Sequence, residues 1–210
     1  MKLYSGPLSL FTAKVRVALA EKALPYERIE VRWSKRDRYL PHHPDVVAIN
    51  PKAQVPCLVD GDVTLYDSTL ILEYLEDRYP SPPLMPRDPA GRARCRLLEL
   101  EADEVVFPHL WTLIDTRFYP GGDPAAGGEA AAGIRAYHER LARALGQRDF
   151  LCGDFGIADI GNFIMLSVGG LLGAPVGAET PTLAAWMARV AERPAVAQEM
   201  ADMSGAAAAA

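Results

Sequence analysis

Short apolar strands and one amphipathic helix alternate along the first third of the chain. Residues 2–4 and 26–31 have the alternating pattern of strands, and apolar positions recur at helical spacing from residue 11 to residue 19. This order predicts a β-α-β unit. Its two strands should be parallel and its crossover right-handed. Residues 32–50 are polar, and we expect a short irregular helix and a loop there.

A predicted hairpin follows and ends at a helix N-terminus. Asp60-Gly61 favours a two-residue turn between two apolar runs. Asp67 and Ser68 come next and lie where helical spacing begins, and Pro80 stops that helix after Tyr79. Because a helix N-terminus attracts anions, this arrangement is suited to a small peptide with a free carboxylate.

The pattern changes after a proline-rich connector. Residues 80–89 hold five prolines, which predicts a stiff linker between a first domain over residues 1–79 and a helical domain over residues 90–210. We expect a flexible loop at residues 121–128 and no function for the alanine-rich tail. Helices are predicted over residues 90–118 with a kink at Pro108, over 129–145, 157–172 and 182–193, and over a short last segment. Together the patterns predict an α/β layer followed by a helical bundle.

Charge and cysteine content exclude several classes of protein. The formal net charge of −5 argues against nonspecific nucleic-acid binding. Cys57, Cys95 and Cys152 lie far apart and have no metal-ligand spacing, so we expect reduced thiols and no metal site. We find no signal peptide and no apolar run long enough to cross a bilayer, so we expect a cytoplasmic protein.

Three motifs in the correct order make the chain resemble the cytosolic glutathione S-transferases. Asn50-Pro51-x-x-Gln54-Val55-Pro56 is similar to the loop before the family's cis-proline, and Asp67-Ser68 is similar to its acidic residue and serine pair. The stretch 153–159 resembles the motif that starts a helix in the second domain. There Gly156 replaces the usual Ser or Thr, which removes half of a capping box and costs about 1 kcal/mol if nothing replaces it. Asp159 should still cap that buried helix.

The resemblance implies a thioredoxin-like α/β domain that binds glutathione, followed by an all-α bundle. Val55 would pair with the glutathione cysteine backbone like an added strand, and Pro56 would be cis. Ser68 would bind the γ-glutamyl carboxylate and Asp67 the γ-glutamyl ammonium. Further contacts would come from Gln54, Lys52 and His43. From the residues alone, Asp67 and Ser68 also fit a plain helix cap, and Pro56 fits a strand-edge proline.

The glutathione thiol needs a hydroxyl donor, because thiols have a pKa near about 8.5. Residues 9–15 resemble the S-P-F-x-x-[RK]-V loop of the serine-type transferases, which makes Ser9 the first candidate. Tyr4 is its rival, since the tyrosine-type enzymes place their hydroxyl at the end of the first strand, and Ser5 is a distant third. No cysteine lies in this loop, so we expect conjugation to small hydrophobic electrophiles or glutathione peroxidase activity.

The family resemblance also implies a homodimer, and it leaves a second function open. The segments 64–75 and 80–86 resemble the stringent starvation proteins, which bind RNA polymerase and are not known as transferases. Two departures weigh against this alternative. Pro80-Ser81-Pro82 replaces a Pro-His-Pro, and Ser9 replaces an acidic residue.

Overall fold

The computed structural model describes residues 1–119 and 121–209. They form two compact units, of which the first contains Met1–Pro83 together with the C-terminal segment from Arg193, and the second contains Leu84–Glu192. The strands are β1 (Lys2–Ser5), β2 (Glu27–Glu30), β3 (Cys57–Asp60) and β4 (Val63–Tyr66). The helices are α1 (Leu10–Glu21), α2 (Pro44–Ile49), α3 (Ser68–Arg78), α4 (Pro89–Glu101), α5 (Phe107–Phe118), α6 (Pro124–Leu145), α7 (Ile157–Leu171), α8 (Pro181–Ala191) and α9 (Pro194–Ala208).

The first unit is a mixed four-stranded sheet in the order β2-β1-β3-β4. β1 and β2 are parallel, as predicted for a β-α-β unit, and β3 runs antiparallel to both β1 and β4. The hairpin turn lies one residue later than predicted. Asp60 still pairs with Val63, so the loop consists of Gly61 and Asp62, and Gly61 has a φ of +62°.

In the described part of the second unit the regular elements are all helices, and they are built around α7. Most of α7 is buried, as its apolar pattern predicts. A π-helical turn, Ala102–Val106, joins α4 to α5 directly before Pro108. Pro108 lacks the N–H that a continuous helix would use, which agrees with a break at this point.

Two helix boundaries differ from the predictions. α6 begins at Pro124 and not at residue 129, because the Asp123 carboxylate accepts the Ala125 N–H at 2.9 Å and Pro124 fits the first helical turn. The last helix is 15 residues long and includes most of the alanine-rich tail. Residue 210 lies outside the described residues.

The C-terminal helix belongs to the first unit, whereas the sequence prediction placed residues 90–210 together. α9 packs against α1. The Arg16 guanidinium donates to both carboxylate oxygens of Glu199 at 2.8 and 2.5 Å, and Arg193 pairs with Glu21. Within residues 1–119 and 121–209, no helix is both long and apolar enough to cross a membrane.

Candidate glutathione site

The three segments predicted to form the site, which carry Ser9, Pro56 and Asp67, lie at one end of the sheet. Tyr4 of β1 pairs with Cys57 of β3, which in turn pairs with Tyr66 of β4. Because β3 is antiparallel to its neighbours, β1 and β4 end where β3 begins. The segments that carry Ser9, Pro56 and Asp67 therefore meet at the same end of the sheet.

The loop before β3 has a backbone conformation suited to added-strand pairing. The Val55–Pro56 peptide bond is cis, as predicted from the resemblance. Val55 is half-buried, and Pro56 is buried and leads directly into Cys57, the first residue of β3. The Val55 backbone thus lies at the point where a ladder could continue beyond the start of this strand.

Asn50 supports this loop from inside, a role that sequence reasoning did not assign to it. Its side-chain amide donates to the Gln54 carbonyl at 2.8 Å, and its carbonyl oxygen accepts the Lys52 N–H at 2.9 Å. Asn50 is 4% exposed, whereas Gln54 and Lys52 are exposed. The sequence held a usable signal, because Asn50 opens the quoted motif and asparagine commonly makes such local turns.

Asp67 forms the N-cap of α3. Its Oδ1 accepts the N–H groups of Thr69 at 3.0 Å and Leu70 at 3.3 Å. The residue has a φ of +78°, a conformation that residues other than glycine rarely adopt and that often marks functional sites. Asp67 is exposed, and Ser68, the first residue of α3, is 3% exposed. Because both cap bonds use Oδ1, the charge of this exposed carboxylate remains available to a ligand ammonium.

Ser9 is the N-cap of α1. Its Oγ accepts the Thr12 N–H at 3.2 Å, so the hydroxyl uses a lone pair and keeps its hydrogen for another acceptor. The residue is 9% exposed and lies at the positive end of a 12-residue helix. Both features favour a negatively charged acceptor beside this hydroxyl.

Tyr4 has a different environment. Its hydroxyl donates to Asp45 Oδ2 at 2.8 Å, and this hydrogen bond, together with burial, raises the pKa of Tyr4. The ring packs in an apolar cluster with Val46 and Cys57 and meets His43 edge-on at 5.4 Å between ring centroids. Tyr4 and His43 therefore form a separate cluster with α2, in which His43 also caps the helix by accepting the Asp45 N–H.

The loop between β1 and α1 is held by a buried arginine that the sequence patterns did not single out. Arg16 Nη1 donates to Ser5 Oγ at 2.6 Å and to the Gly6 carbonyl at 3.0 Å. Glu199 on α9 balances the guanidinium charge. Gly6 itself is packed so closely against the Tyr39 hydroxyl that a Cβ would collide with it. These contacts fix the start of the segment that carries Ser9.

The helix-start motif of the second unit has a folding role, as predicted. Asp159 accepts the N–H groups of Gly156 at 3.0 Å and Leu151 at 2.9 Å, and the indole N–H of Trp186 at 2.7 Å. Burial raises the pKa of Asp159 to about 6. A Cβ at Gly156 would collide with the Leu84 carbonyl oxygen, which explains the missing Ser or Thr.

The thiol of Cys57 is unsuited to act as a nucleophile. It is fully buried, and burial raises its pKa to about 12. Within residues 1–119 and 121–209, no group of three or more His, Cys, Asp or Glu side chains could hold a metal ion.

Comparisons with known proteins place both halves of the chain in one family. Residues 3–83 match the model of the glutathione S-transferase N-terminal domain, and residues 106–194 match that of the C-terminal domain. The chain is 44% identical over 100 residues to a stringent starvation protein A homolog of Coxiella burnetii, covering 47% of this chain and 44% of that protein. It is 48% identical over 93 residues to glutathione S-transferase Z1 of Arabidopsis thaliana, covering 44% of this chain and 41% of that protein. The matches thus span less than half the length of these two relatives.

Solved structures match over nearly the whole chain. A glutathione S-transferase from Rhodospirillum rubrum is 30% identical with a TM-score of 0.79, covering 93% of this chain and 89% of that one. A glutathione S-transferase from Methylobacterium radiotolerans, solved in complex with glutathione sulfonate, is 29% identical with a TM-score of 0.78. The match covers 94% of this chain and 93% of that one.

Proposed function

Because the chain belongs to the glutathione S-transferase family, we propose that it binds glutathione and conjugates the glutathione thiolate to small hydrophobic electrophiles. One observation carries this proposal. The Val55 backbone, next to the start of β3, and the capped N-termini of α1 and α3 lie at the same end of the sheet. This geometry offers backbone pairing for a peptide and two positive helix ends for its charges.

In the proposed complex, each segment binds one part of glutathione. The cysteine backbone of the tripeptide pairs with Val55, and the γ-glutamyl carboxylate binds at the start of α3 beside Ser68. The exposed carboxylate of Asp67 binds the γ-glutamyl ammonium. The exposed side chains of Gln54 and Lys52 are available for the remaining contacts, with Lys52 suited to the glycine carboxylate.

We assign thiolate stabilisation to Ser9 and not to Tyr4. The Ser9 hydroxyl keeps its hydrogen available, whereas the Tyr4 hydroxyl hydrogen is used by Asp45. One charge-assisted hydrogen bond and a helix N-terminus each favour the anion over the neutral thiol. Each pKa unit requires about 1.4 kcal/mol of such preference, so a lowering of one to two units is within reach of these two effects. Peroxidase activity would use the same thiolate.

The alternative function is a non-catalytic protein that binds RNA polymerase, as the stringent starvation proteins do. The similarity to the Coxiella burnetii homolog favours it, although that match covers less than half of either chain. The two functions differ in whether the site at the end of the sheet must bind glutathione. A polymerase-binding protein has no need for a glutathione site, so ligand binding separates the alternatives. A homodimer remains a prediction from the family resemblance, and a cytoplasmic location remains a prediction from the sequence.

Calorimetric titration of glutathione into the wild type and into Asp67→Asn tests the binding site. The asparagine would still cap α3 through its side-chain oxygen, but the charge that binds the ammonium would be lost. We expect a micromolar-to-millimolar dissociation constant for glutathione in the wild type. In the variant the affinity should fall by at least about tenfold, which is the contribution of one charge-assisted hydrogen bond. Asp62→Asn, an exposed loop variant, is the matched control. An absence of binding to the wild type would overturn the proposal and favour the polymerase partner.

The pKa of bound glutathione then tests the thiol-activating residue. Ultraviolet absorbance of the thiolate should titrate below the free value in the wild type and in Tyr4→Phe. In Ser9→Ala it should move up by about one unit or more, because the hydroxyl donor is gone. Conjugation rates at neutral pH should fall in parallel. A pKa that rises only in Tyr4→Phe would assign the role to the tyrosine.

A further inference from the structure

Two cysteines of the second unit meet although they are 57 positions apart in the chain. Cys95 lies on α4 and is fully buried, and Cys152 lies in the loop between α6 and α7 and is partly exposed. Both are free thiols, and the two side chains lie close enough to interact. The third cysteine, Cys57, lies in the other unit.

The loop that carries Cys152 is held in place from both sides. Isolated backbone bridges link Phe150 to Gly153 and Cys152 to Asp154. The buried carboxylate of Asp159 accepts the Leu151 N–H at 2.9 Å. Cys152 is therefore held on an ordered turn beside its partner thiol, an arrangement that favours reaction between the two sulfur atoms over reaction with other thiols.

Cys152 opens onto a cleft that is rich in arginine. The cleft has a volume of about 550 Å³ and lies within the second unit. Its lining includes four arginines, Arg94, Arg140, Arg143 and Arg148, against two carboxylates, Asp88 and Glu101. Arg140 donates to Glu101, and Arg148 donates to the Leu151 carbonyl at 3.2 Å, beside Cys152. The local charge is thus positive in a chain whose formal net charge is −5.

These surroundings shift the pKa values of the two thiols in opposite directions. The interaction with Cys95 lowers the pKa of Cys152, and the charges of Arg148 and Arg94 lower it further, against the opposing effects of burial and of the Asp159 carboxylate. The same interaction and burial raise the pKa of Cys95. A low pKa and access to solvent mark a reactive thiol, and a second thiol in contact can resolve its oxidation product.

We propose that Cys152 and Cys95 form a redox-active dithiol in which Cys152 reacts with a hydroperoxide from the arginine-lined cleft and Cys95 resolves the product to a disulfide. This site is independent of the proposed glutathione site, which lies in the other unit. The dithiol supplies the two electrons that reduce the peroxide.

The reaction balances in two steps. The Cys152 thiolate attacks one peroxide oxygen, so that an S–O bond forms, the O–O bond breaks, and the leaving hydroxide takes up the thiol proton to become water. The Cys95 sulfur then attacks the sulfenic sulfur of Cys152. An S–S bond forms, the S–O bond breaks, and the second hydroxide leaves as water with the proton from Cys95. One peroxide is consumed for each disulfide.

Peptide mass mapping of the full-length protein tests the proposal. The reduced wild type is treated with one equivalent of hydrogen peroxide and digested without reductant. We expect one intramolecular crosslink between the peptides of Cys95 and Cys152, removed by dithiothreitol and unchanged in Cys57→Ser. Oxidation of Cys57 in preference, crosslinks between molecules, or a folded protein whose thiols survive would each overturn the proposal.

Rates of peroxide consumption test the division of roles. Cys152→Ser should abolish fast consumption, whereas Cys95→Ser should still consume peroxide and accumulate a sulfenic acid that a dione probe traps. Arg148→Gln should slow the wild-type reaction, because the Arg148 charge helps to lower the pKa of Cys152 and so raises its thiolate fraction. Arg87→Gln, which changes an exposed arginine outside the cleft lining, is the matched control. Equal slowing by both arginine variants, or fast consumption in Cys152→Ser, would overturn the assignment.

Discussion

Replacing Glu199 by glutamine should strongly destabilise the first unit, although Glu199 lies on the last helix of the chain. Arg16 and Glu199 are 4% and 5% exposed and form two hydrogen bonds of 2.8 and 2.5 Å. The change keeps the shape of the side chain but leaves the guanidinium charge buried without its counter-ion. Breaking a buried ion pair in this way costs about 3–5 kcal/mol. Native domains have only about 5–15 kcal/mol of stability, so the loss is large.

Urea denaturation followed by circular dichroism measures this free energy, and an exposed pair supplies the control. Arg28 donates to Glu30 at 2.8 Å with both side chains about one-third exposed or more, so Glu30→Gln should cost less than about 1 kcal/mol. The double variant Arg16→Met with Glu199→Leu removes both charges and should recover much of the stability, because no charge is left unpaired. A cost for Glu199→Gln equal to that of Glu30→Gln would refute the reasoning.

Two further predictions concern buried groups of the second unit. Asp159→Ala leaves three buried N–H donors unpaired at about 1–3 kcal/mol each, so urea denaturation should show a loss of at least about 3 kcal/mol, against little change in the exposed control Asp154→Ala. Burial lowers the pKa of His138, so the native state keeps this imidazole neutral at a pH where the unfolded chain, with a pKa near about 6.5, has bound a proton. The contribution of the neutral His138 imidazole to the free energy of unfolding is complete above about pH 6.5 and is lost as the pH falls below that value. The free energy of unfolding of His138→Phe should therefore fall less than that of the wild type between about pH 7 and 5. Equal pH slopes in the two proteins would contradict this assignment.

Local patterns predicted the elements of the first unit well. The strands, the parallel β1–β2 pair and the helix that starts after Asp67 all follow from periodicity and capping, which act over a few residues. The start of α6 was missed although its signal was present. Asp123-Pro124 is an N-cap followed by a proline at the first helical position, and this signal outweighs the glycines after it in setting where α6 begins.

The length and the packing partner of the C-terminal helix could not be predicted from local sequence patterns. The sequence suggests no function for the alanine-rich tail, yet alanine has the highest helix propensity and α9 extends to Ala208. What attaches α9 to α1 is the pair of Arg16 and Glu199, which are 183 positions apart. No periodicity within one element specifies such a partner, so the assignment of this helix to the first unit required the structure.

The side chains that hold the loops of the candidate site could not be identified from the sequence for the same reason. The motifs located Ser9, Pro56 and Asp67, because each lies in a short stretch with a recognisable order of residues. The side chains that fix these segments act across elements or within a single loop. Asn50 holds the loop before the cis-proline, and Arg16 holds the loop before α1. Sequence could therefore predict which segments lie at this end of the sheet better than it could predict the side chains that hold them there.

In our proposal, Ser9 distinguishes between the two candidate functions. In the stringent starvation proteins that the chain resembles, an acidic residue occupies this position. A carboxylate about 4 Å from a thiolate would oppose the anion by about 1 kcal/mol in water and about 4 kcal/mol near a protein surface, which keeps the thiol protonated. A hydroxyl whose hydrogen is available has the opposite effect, since it donates to the anion more strongly than to the neutral thiol. The Ser9 hydroxyl caps α1 and keeps its hydrogen available, and this is the feature of the first unit on which our proposal of thiol chemistry depends.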